Sequence, residues 1–212
     1  MDYKMKINLV LLAAGNSRRY GSNKLLYELD GKPMYRHVVD EITRLGGECD
    51  ALDEKAVSGA RIFCEKIVVS QYDGILEDLA MEGWTVVRNT EPELGISKSL
   101  QLGISGSQTR ADAWCFVVAD QPYLKAETIE GLVQGFLHAF LKDGKTCGCV
   151  KCGERMGNPC IFTRVHEEEL MNLTGDVGGK KVLMRHLKEC FFWETEEERE
   201  LEDVDVKNSL DC

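Results

Sequence analysis

Apolar residues run along this chain in short blocks, separated by longer stretches whose apolar positions recur at helical spacing. Residues 7–14 form one apolar run with an aliphatic core, interrupted only by Asn8, the pattern of a strand buried on both faces in a parallel sheet. Residues 15–24 follow as a loop rich in Gly, Ser and Asn. Pro33 then opens a helix in which Met34, His37, Val38, Ile42 and Leu45 recur at helical spacing, and Gly46-Gly47 ends it. The pattern predicts a strand over 66–70, a helix over 74–81, a strand over 84–88 and a helix over 97–105. A second strongly apolar strand, 113–119, stops abruptly at Asp120-Gln121-Pro122.

A helix over 126–141 comes next, then two strands, 147–151 and 159–162, joined by the polar turn 153–157. Residues 164–171 and 177–187 read as helices, and 191–193 and 201–206 as short terminal strands. Residues 48–65 lack periodicity and read as an insertion whose structure the pattern does not fix. Alternating strand and helix predict an α/β fold, a mostly parallel sheet covered by helices on both faces. In such sheets ligands bind beyond the carboxyl ends of the strands. Two loops lie there, 15–24 and the one after Ala119. The 212 residues fit a single domain, 1–212, large enough to bury a core without disulfides.

Charge narrows the partners. The formal net charge is −10, which argues against nucleic acid as the main partner. An anionic nucleotide can still bind if positive charge is concentrated locally. No apolar run approaches the length of a transmembrane helix, so no membrane span is expected. The first apolar run is too short, and too soon interrupted by Gly15 and Arg18, for a signal peptide, so a cytoplasmic location is expected. Nine cysteines, an odd number, then read as reduced thiols.

The loop Leu12-Ala13-Ala14-Gly15-Asn16-Ser17-Arg18-Arg19-Tyr20-Gly21-Ser22-Asn23-Lys24 is where positive charge concentrates. Gly15 and Gly21 let backbone N–H groups approach a ligand closely. Arg18, Arg19 and Lys24 add cations suited to phosphate oxygens. The loop matches neither the Walker pattern nor Gly-x-Gly-x-x-Gly. On charge alone, a solvated basic turn is the plain alternative. Asp120, set directly after a buried strand, is suited to hold Mg²⁺ for phosphoryl chemistry, or to cap the turn before Pro122.

The loop resembles the Leu-Ala-Ala-Gly-x-Ser-x-Arg-x-Gly-x-x-Lys motif of the molybdopterin nucleotidyltransferases, the NTP-transferase family that includes molybdenum cofactor cytidylyltransferases. Gly15, Ser17, Arg19, Gly21 and Lys24 match, and Tyr20 replaces the usual methionine. Asp120-Gln121-Pro122 resembles the family's magnesium-binding Asp-Gln-Pro, in the form found in the cytidylyl branch. Gly95-Ile96-Ser97-Lys98-Ser99-Leu100 resembles a segment near base and ribose, with helix capping as the simpler role for its serines. Gly157-Asn158-Pro159 resembles Gly-His-Pro at the acceptor pocket, with Asn158 in place of histidine. Thr174-Gly175-Asp176-Val177-Gly178-Gly179-Lys180 resembles a turn near the acceptor. Asp203-Val204-Asp205 keeps only the Asp-x-Asp part of a terminal element, with Asp205 as a second metal ligand.

The resemblance implies a three-layer Rossmann-like fold of the nucleotide-diphospho-sugar-transferase type. It implies transfer of CMP from CTP to molybdopterin or its molybdenum form, with Mg²⁺ as cofactor and a molybdenum hydroxylase as recipient of the product. Arg19, Lys24 and Asp120 are the implied catalytic residues. Leu12, Ala13, Ala14, Gly15, Ser17, Arg18, Gly21, Ser97 and Ser99 would bind nucleotide. Gln121, Gly157, Asn158, Pro159 and Asp176 would bind the acceptor. Two alternatives stay open: a nucleotidyltransferase for another phosphorylated metabolite, such as a sugar or polyol phosphate, and a non-catalytic carrier or chaperone of the cofactor. The thiols of Cys147, Cys149, Cys152 and Cys160 are read as ordinary half-buried or buried cysteines, with a zinc site as the competing idea. Histidines 37, 138, 166 and 186 share no spacing and are read as helix residues.

Overall fold

A computed structural model of the chain describes residues 5–15, 23–45 and 63–204. The aliphatic run forms β1 (Ile7–Ala13), buried along its whole length. A small hairpin, β2 (Glu28–Leu29) and β3 (Lys32–Pro33), leads into α1 (Met34–Arg44). Then follow β4 (Glu65–Ser70), α2 (Asp73–Met81), β5 (Thr85–Arg88), α3 (Ile96–Ser105), β6 (Ala113–Val118) and α4 (Ala126–Asp143). The last third holds β7 (Cys147–Cys152), β8 (Arg155–Thr163), α5 (Glu167–Met171), α6 (Lys180–Arg185) and β9 (Cys190–Glu194).

Seven strands form one sheet in the order β5-β4-β1-β6-β8-β7-β9. The neighbours of β1, β4 and β6, run parallel to it, as β5 does to β4 and β9 to β7. Only β8 runs antiparallel to its neighbours. Side chains alternate between two cores. Ile7, Leu9 and Leu11 face α1, α2 and α4, while Val10 and Leu12 face α3, α5 and α6. The fold is therefore three-layered α/β with a mostly parallel sheet, as the periodicity predicts. Among the described residues no helix is long and apolar enough to cross a membrane.

The structure corrects several boundaries. β8 begins at Arg155, so Gly157-Asn158-Pro159 lies inside a strand and the turn shrinks to Gly153-Glu154. The ladder pairs Cys149 with Cys160 but Val150 with Gly157, so Asn158 and Pro159 bulge out of register. Proline lacks the N–H a ladder needs, and a bulge is where a sheet accommodates it. Residues 201–204 form no strand. A 3-10 turn, Glu198–Leu201, takes their place, held by buried Glu200, which accepts from Thr195 Oγ1 (2.7 Å) and Lys125 N (3.1 Å). Residues 205–206 lie outside the described residues. The two late helices also shorten: a 3-10 turn, Arg164–His166, precedes α5, and α6 starts only after Gly178-Gly179.

The histidines divide. His37 lies in α1 and His138 in α4, but His166 sits in the 3-10 turn and His186 just after α6, with ring centroids 4.6 Å apart. The four thiols cannot converge on one ion. Cys147, Cys149 and Cys160 belong to one core, while Cys152 packs against the core on the other face.

Of the 48–65 insertion, residues 48–62 lie outside the described residues. Its end is an anchor. Glu65 Oε1 accepts from Thr85 Oγ1 (2.7 Å) and Gln108 N (3.0 Å), and Oε2 from Ser107 Oγ (3.0 Å) and from both N and Oγ1 of Thr109 (3.0 and 2.8 Å). Buried Asn8 completes the cluster, donating to Glu65 Oε2 at 3.1 Å. Burial alone would raise the Glu65 pKa, but the donors outweigh it and lower it from 4.5 to about 2. A lowered carboxylate pKa stabilises the fold fully above the unfolded value, and that contribution is lost as pH falls through the folded value. Glu65→Gln should therefore cost about 2 kcal/mol at neutral pH. In urea unfolding followed against pH, the gap between wild type and variant should close as pH drops from 4.5 toward 2. A gap that stays constant would exclude the ionised carboxylate as its source.

Candidate functional site

The carboxyl ends of β1, β4 and β6 converge on one edge of the sheet. The carbonyls at the root of the first loop are held by side chains that leave β4. Ser70 Oγ donates to Ala13 O (2.9 Å), Gln71 Nε2 to Ala14 O (3.1 Å) and Tyr72 OH to Gly15 O (3.2 Å). Carbonyls would repel a phosphate, so occupying them suits this edge to an anion.

The chain re-enters at Asn23, whose Oδ1 accepts from Leu25 N (3.0 Å) and caps the 3-10 turn Lys24–Leu26. Leu25 is buried and fixes the turn. Lys24 is thereby pointed across the edge, and its Nζ lies 2.8 Å from Asp120 Oδ2, with the two side chains only 15% and 26% exposed. Asp120 lies two residues past the end of β6, and its carbonyl accepts from Val204 N at 3.0 Å. That bond brings the C-terminal segment to the same edge. Gln121 Nε2 donates to Asp203 Oδ1 at 3.0 Å. Burial, then repulsion from Asp120, raises the Asp203 pKa above its usual value, and Gln121, Lys24 and Arg155 oppose the rise.

Two cavities flank the Asp120-Gln121 step, Asp120 lining the first and Gln121 the second. The first is lined by Leu12, Ala14, Gly15, Lys24 and Asp120 on one side and by Gly95, Ile96, Ser99 and Asp176 on the other. Gly95 has φ +83°. A side chain there would also come within 2.4 Å of the Gly175 backbone. This close approach, with Ser97 N donating to Gly175 O (3.3 Å), carries Asp176 into the first cavity. Ser99 Oγ accepts from buried Asn89 Nδ2 at 3.1 Å. The second cavity is lined by Gln121, Arg155, Gly157, Asn158, Lys180 and Asp203, among others. Gln121 is 3% exposed, and its Oε1 has no hydrogen-bond partner among the described residues.

The expected residues are distributed unevenly. Leu12, Ala14, Gly15, Lys24, Ser99 and Asp120 meet in the first cavity. Ala13 and Ser97 are buried and do not line it. Gln121, Gly157 and Asn158 meet in the second cavity, whereas Asp176, expected beside the acceptor, lines the first, and Pro159 lines neither. Ser17, Arg18, Arg19, Gly21 and Asp205 lie outside the described residues. Sequence reasoning gave no role to Asp203, Arg155, Lys180 or Asn89. Asp203 and Lys180 stood inside quoted motifs, while Arg155 was hidden in a polar turn. Asp120 and Asp203 offer hard oxygen donors side by side, a donor set that fits a divalent cation such as magnesium or manganese.

The family model of the MobA-like NTP transferase domain matches residues 9–190. A probable molybdenum cofactor guanylyltransferase of Pyrococcus horikoshii is 30% identical over 98 residues, 42% of this chain and 51% of that protein. The molybdenum cofactor guanylyltransferase of Shewanella putrefaciens is 25% identical over 188 residues, 88% of this chain and 84% of that protein. The chain spans about half the length of the first two curated relatives that it matches. Among solved structures, Rv0371c of Mycobacterium tuberculosis H37Rv has a TM-score of 0.70 at 20% identity, covering 98% of this chain and 99% of that one. A manganese complex of Rv0371c has a TM-score of 0.64 at 19% identity, covering 90% of this chain and 88% of that one. Likeness at these identities speaks for the Rossmann-like fold.

Gly95→Ala should strain a positive-φ position and push against the Gly175 backbone. The expected cost is about 1–3 kcal/mol of stability, with weaker nucleotide binding. Chemical denaturation and calorimetry check both; an unchanged affinity would show that the Gly95–Gly175 contact does not shape the first cavity.

Proposed function

This chain belongs to the MobA-like NTP transferase family, and within it we propose that the protein transfers a nucleoside monophosphate from an NTP to the phosphate of molybdopterin or its molybdenum form. The observation that carries the proposal is the Lys24–Asp120 pair, which lines the first cavity next to Gln121 of the second. The first cavity takes the nucleotide and the second the acceptor. A terminal phosphate oxygen of the acceptor attacks the α-phosphorus, a new O–P bond forms, and the bond to the β-phosphate oxygen breaks to release pyrophosphate. The attacking phosphate is already ionised, so the reaction needs no general base. Positioning and charge stabilisation do the work.

Lys24 neutralises the triphosphate, joined in this reading by Arg19 and Arg18 of the loop and by Ser17 and Gly21, which cradle it. Asp120 holds Mg²⁺, with Asp203 beside it and Asp205 as a further carboxylate. A divalent cation bound there neutralises charge on the transferring group. Arg155 and Lys180 supply positive charge to the acceptor's phosphate, and the unpaired Gln121 Oε1 is an acceptor for an N–H group of the pterin. The expected setting is the cytoplasm, with a molybdenum hydroxylase receiving the product.

CTP is the proposed donor, on Ala14 and on Gln121 of Asp-Gln-Pro. GTP is the second reading, because the curated relatives are named guanylyltransferases. Pyrophosphate release with molybdopterin and each NTP decides between them. The proposal expects a kcat/KM for CTP at least about tenfold above GTP, a difference of about 1.4 kcal/mol. Reversal of that order would replace the donor and keep the transferase. No pyrophosphate with any NTP would favour the carrier. Asp120→Ala should lower turnover by about 100-fold or more while leaving the melting temperature near wild type.

A further inference from the structure

The sheet edge away from Asp120 holds a second cluster with metal-binding chemistry. Thr163, at the end of β8, pairs with Ala113 at the start of β6, so the turn that follows β8 lies opposite the catalytic edge. There, ligand atoms of His166, Glu169 and His186 all lie within 4.8 Å of one another. They come from two pieces of chain: His166 and Glu169 from the turn that runs into α5, and His186 from the residue after α6.

The surroundings orient each of them. His166 is 4% exposed, and its Nε2 lies 2.9 Å from Thr146 Oγ1. His186 places Nε2 2.6 Å from Glu169 Oε1 and Nδ1 2.9 Å from Glu189 Oε2. Arg185 Nη1 donates to the other Glu169 oxygen at 3.2 Å. One imidazole nitrogen turned to the cluster and the other held by a carboxylate is how a metal-ligating histidine is oriented. A protonated His186 bridging Glu169 and Glu189 would account for those two contacts. A second, buried imidazole is packed edge-on against it, with ring centroids 4.6 Å apart, and offers the further nitrogen of the cluster.

We propose that His166, Glu169 and His186 bind a divalent transition-metal ion of the Zn²⁺ class, at a site separate from the catalytic one. Two imidazoles and one carboxylate, with a fourth position open to water, suit Zn²⁺, whereas Mg²⁺ prefers oxygen ligands alone. The ion ties α5 to the end of α6. The start of α6 is Lys180, which borders the acceptor cavity, so the ion secures the helix that presents that cation.

The test uses the full chain, stripped with a chelator and titrated with Zn²⁺ against a chromophoric competitor in excess Mg²⁺, which occupies the catalytic carboxylates. One Zn²⁺ per chain should bind and raise the melting temperature. His186→Ala and Glu169→Gln should each abolish that binding, and Glu189→Gln should weaken it about 10- to 100-fold. Glu169 is partly exposed, so Glu169→Gln serves even if His186→Ala fails to fold. Co²⁺ in place of Zn²⁺ should give ligand-field bands without thiolate charge transfer. Unchanged Zn²⁺ affinity in Glu169→Gln, thiolate bands with Co²⁺, or no Zn²⁺ bound by wild type would each overturn the site.

Discussion

A chain with net charge −10 in an NTP transferase family must concentrate positive charge locally, and in the proposed mechanism the Lys24–Asp120 pair is where it does so. Both side chains are largely withdrawn from water, where a paired charge costs less than a lone one. In the proposed reaction their partners are of opposite sign: an anionic triphosphate for the lysine and a cation for the aspartate. The pair is thus held ready without either charge being stranded. Its precision comes from elements with no chemistry of their own. The Asn23 cap aims Lys24, β6 delivers Asp120, and Val204 N ties the C-terminal segment to the same edge.

The rest of the fold supports that edge. A parallel β4-β1-β6 centre places three strand ends side by side, which is why the loop roots converge. The single antiparallel strand, β8, has a different job. Its bulge at Asn158-Pro159 carries Gly157 and Asn158 into the second cavity while Cys160 to Thr163 stay in the ladder. The Gly95–Gly175 contact closes the first cavity from the other side. Asp203, which accepts from Gln121, adds a second carboxylate whose pKa burial and Asp120 raise above the usual value.

Much of this was legible in the sequence, because buried parallel strands write themselves as apolar runs. Ile7 to Ala13, with Asn8 its one polar residue, and Ala113 to Val118 are both of that kind, and each leads within two residues to the first cavity, at Gly15 and at Asp120. What stayed hidden depended on pairing across the chain. Pro159 reads locally as a strand boundary, and only the register shift shows that a bulge absorbs it. Leu201 looks like the start of a strand, but its carbonyl is taken by Arg155 Nη2 at 2.7 Å. Asp176 sits in a motif that suggests the acceptor, yet a contact between two glycines turns it to the other cavity. His166 and His186 have no sequence relation, and α5 and α6 bring them together. The roles of Arg18 and Arg19 rest on the loop's sequence, since both lie outside the described residues.

The central claim is that Asp120 and Lys24 make cation and nucleotide binding a single coupled event. Calorimetric titration of CTP and of GTP, with and without Mg²⁺, into wild type and Asp120→Ala measures that coupling directly. The account predicts that Mg²⁺ tightens nucleotide binding in wild type by about tenfold or more, and that the variant loses most of this gain while still binding nucleotide through its cationic loop. Equal Mg²⁺ coupling in both proteins would contradict it, and would move the cation site away from the end of β6.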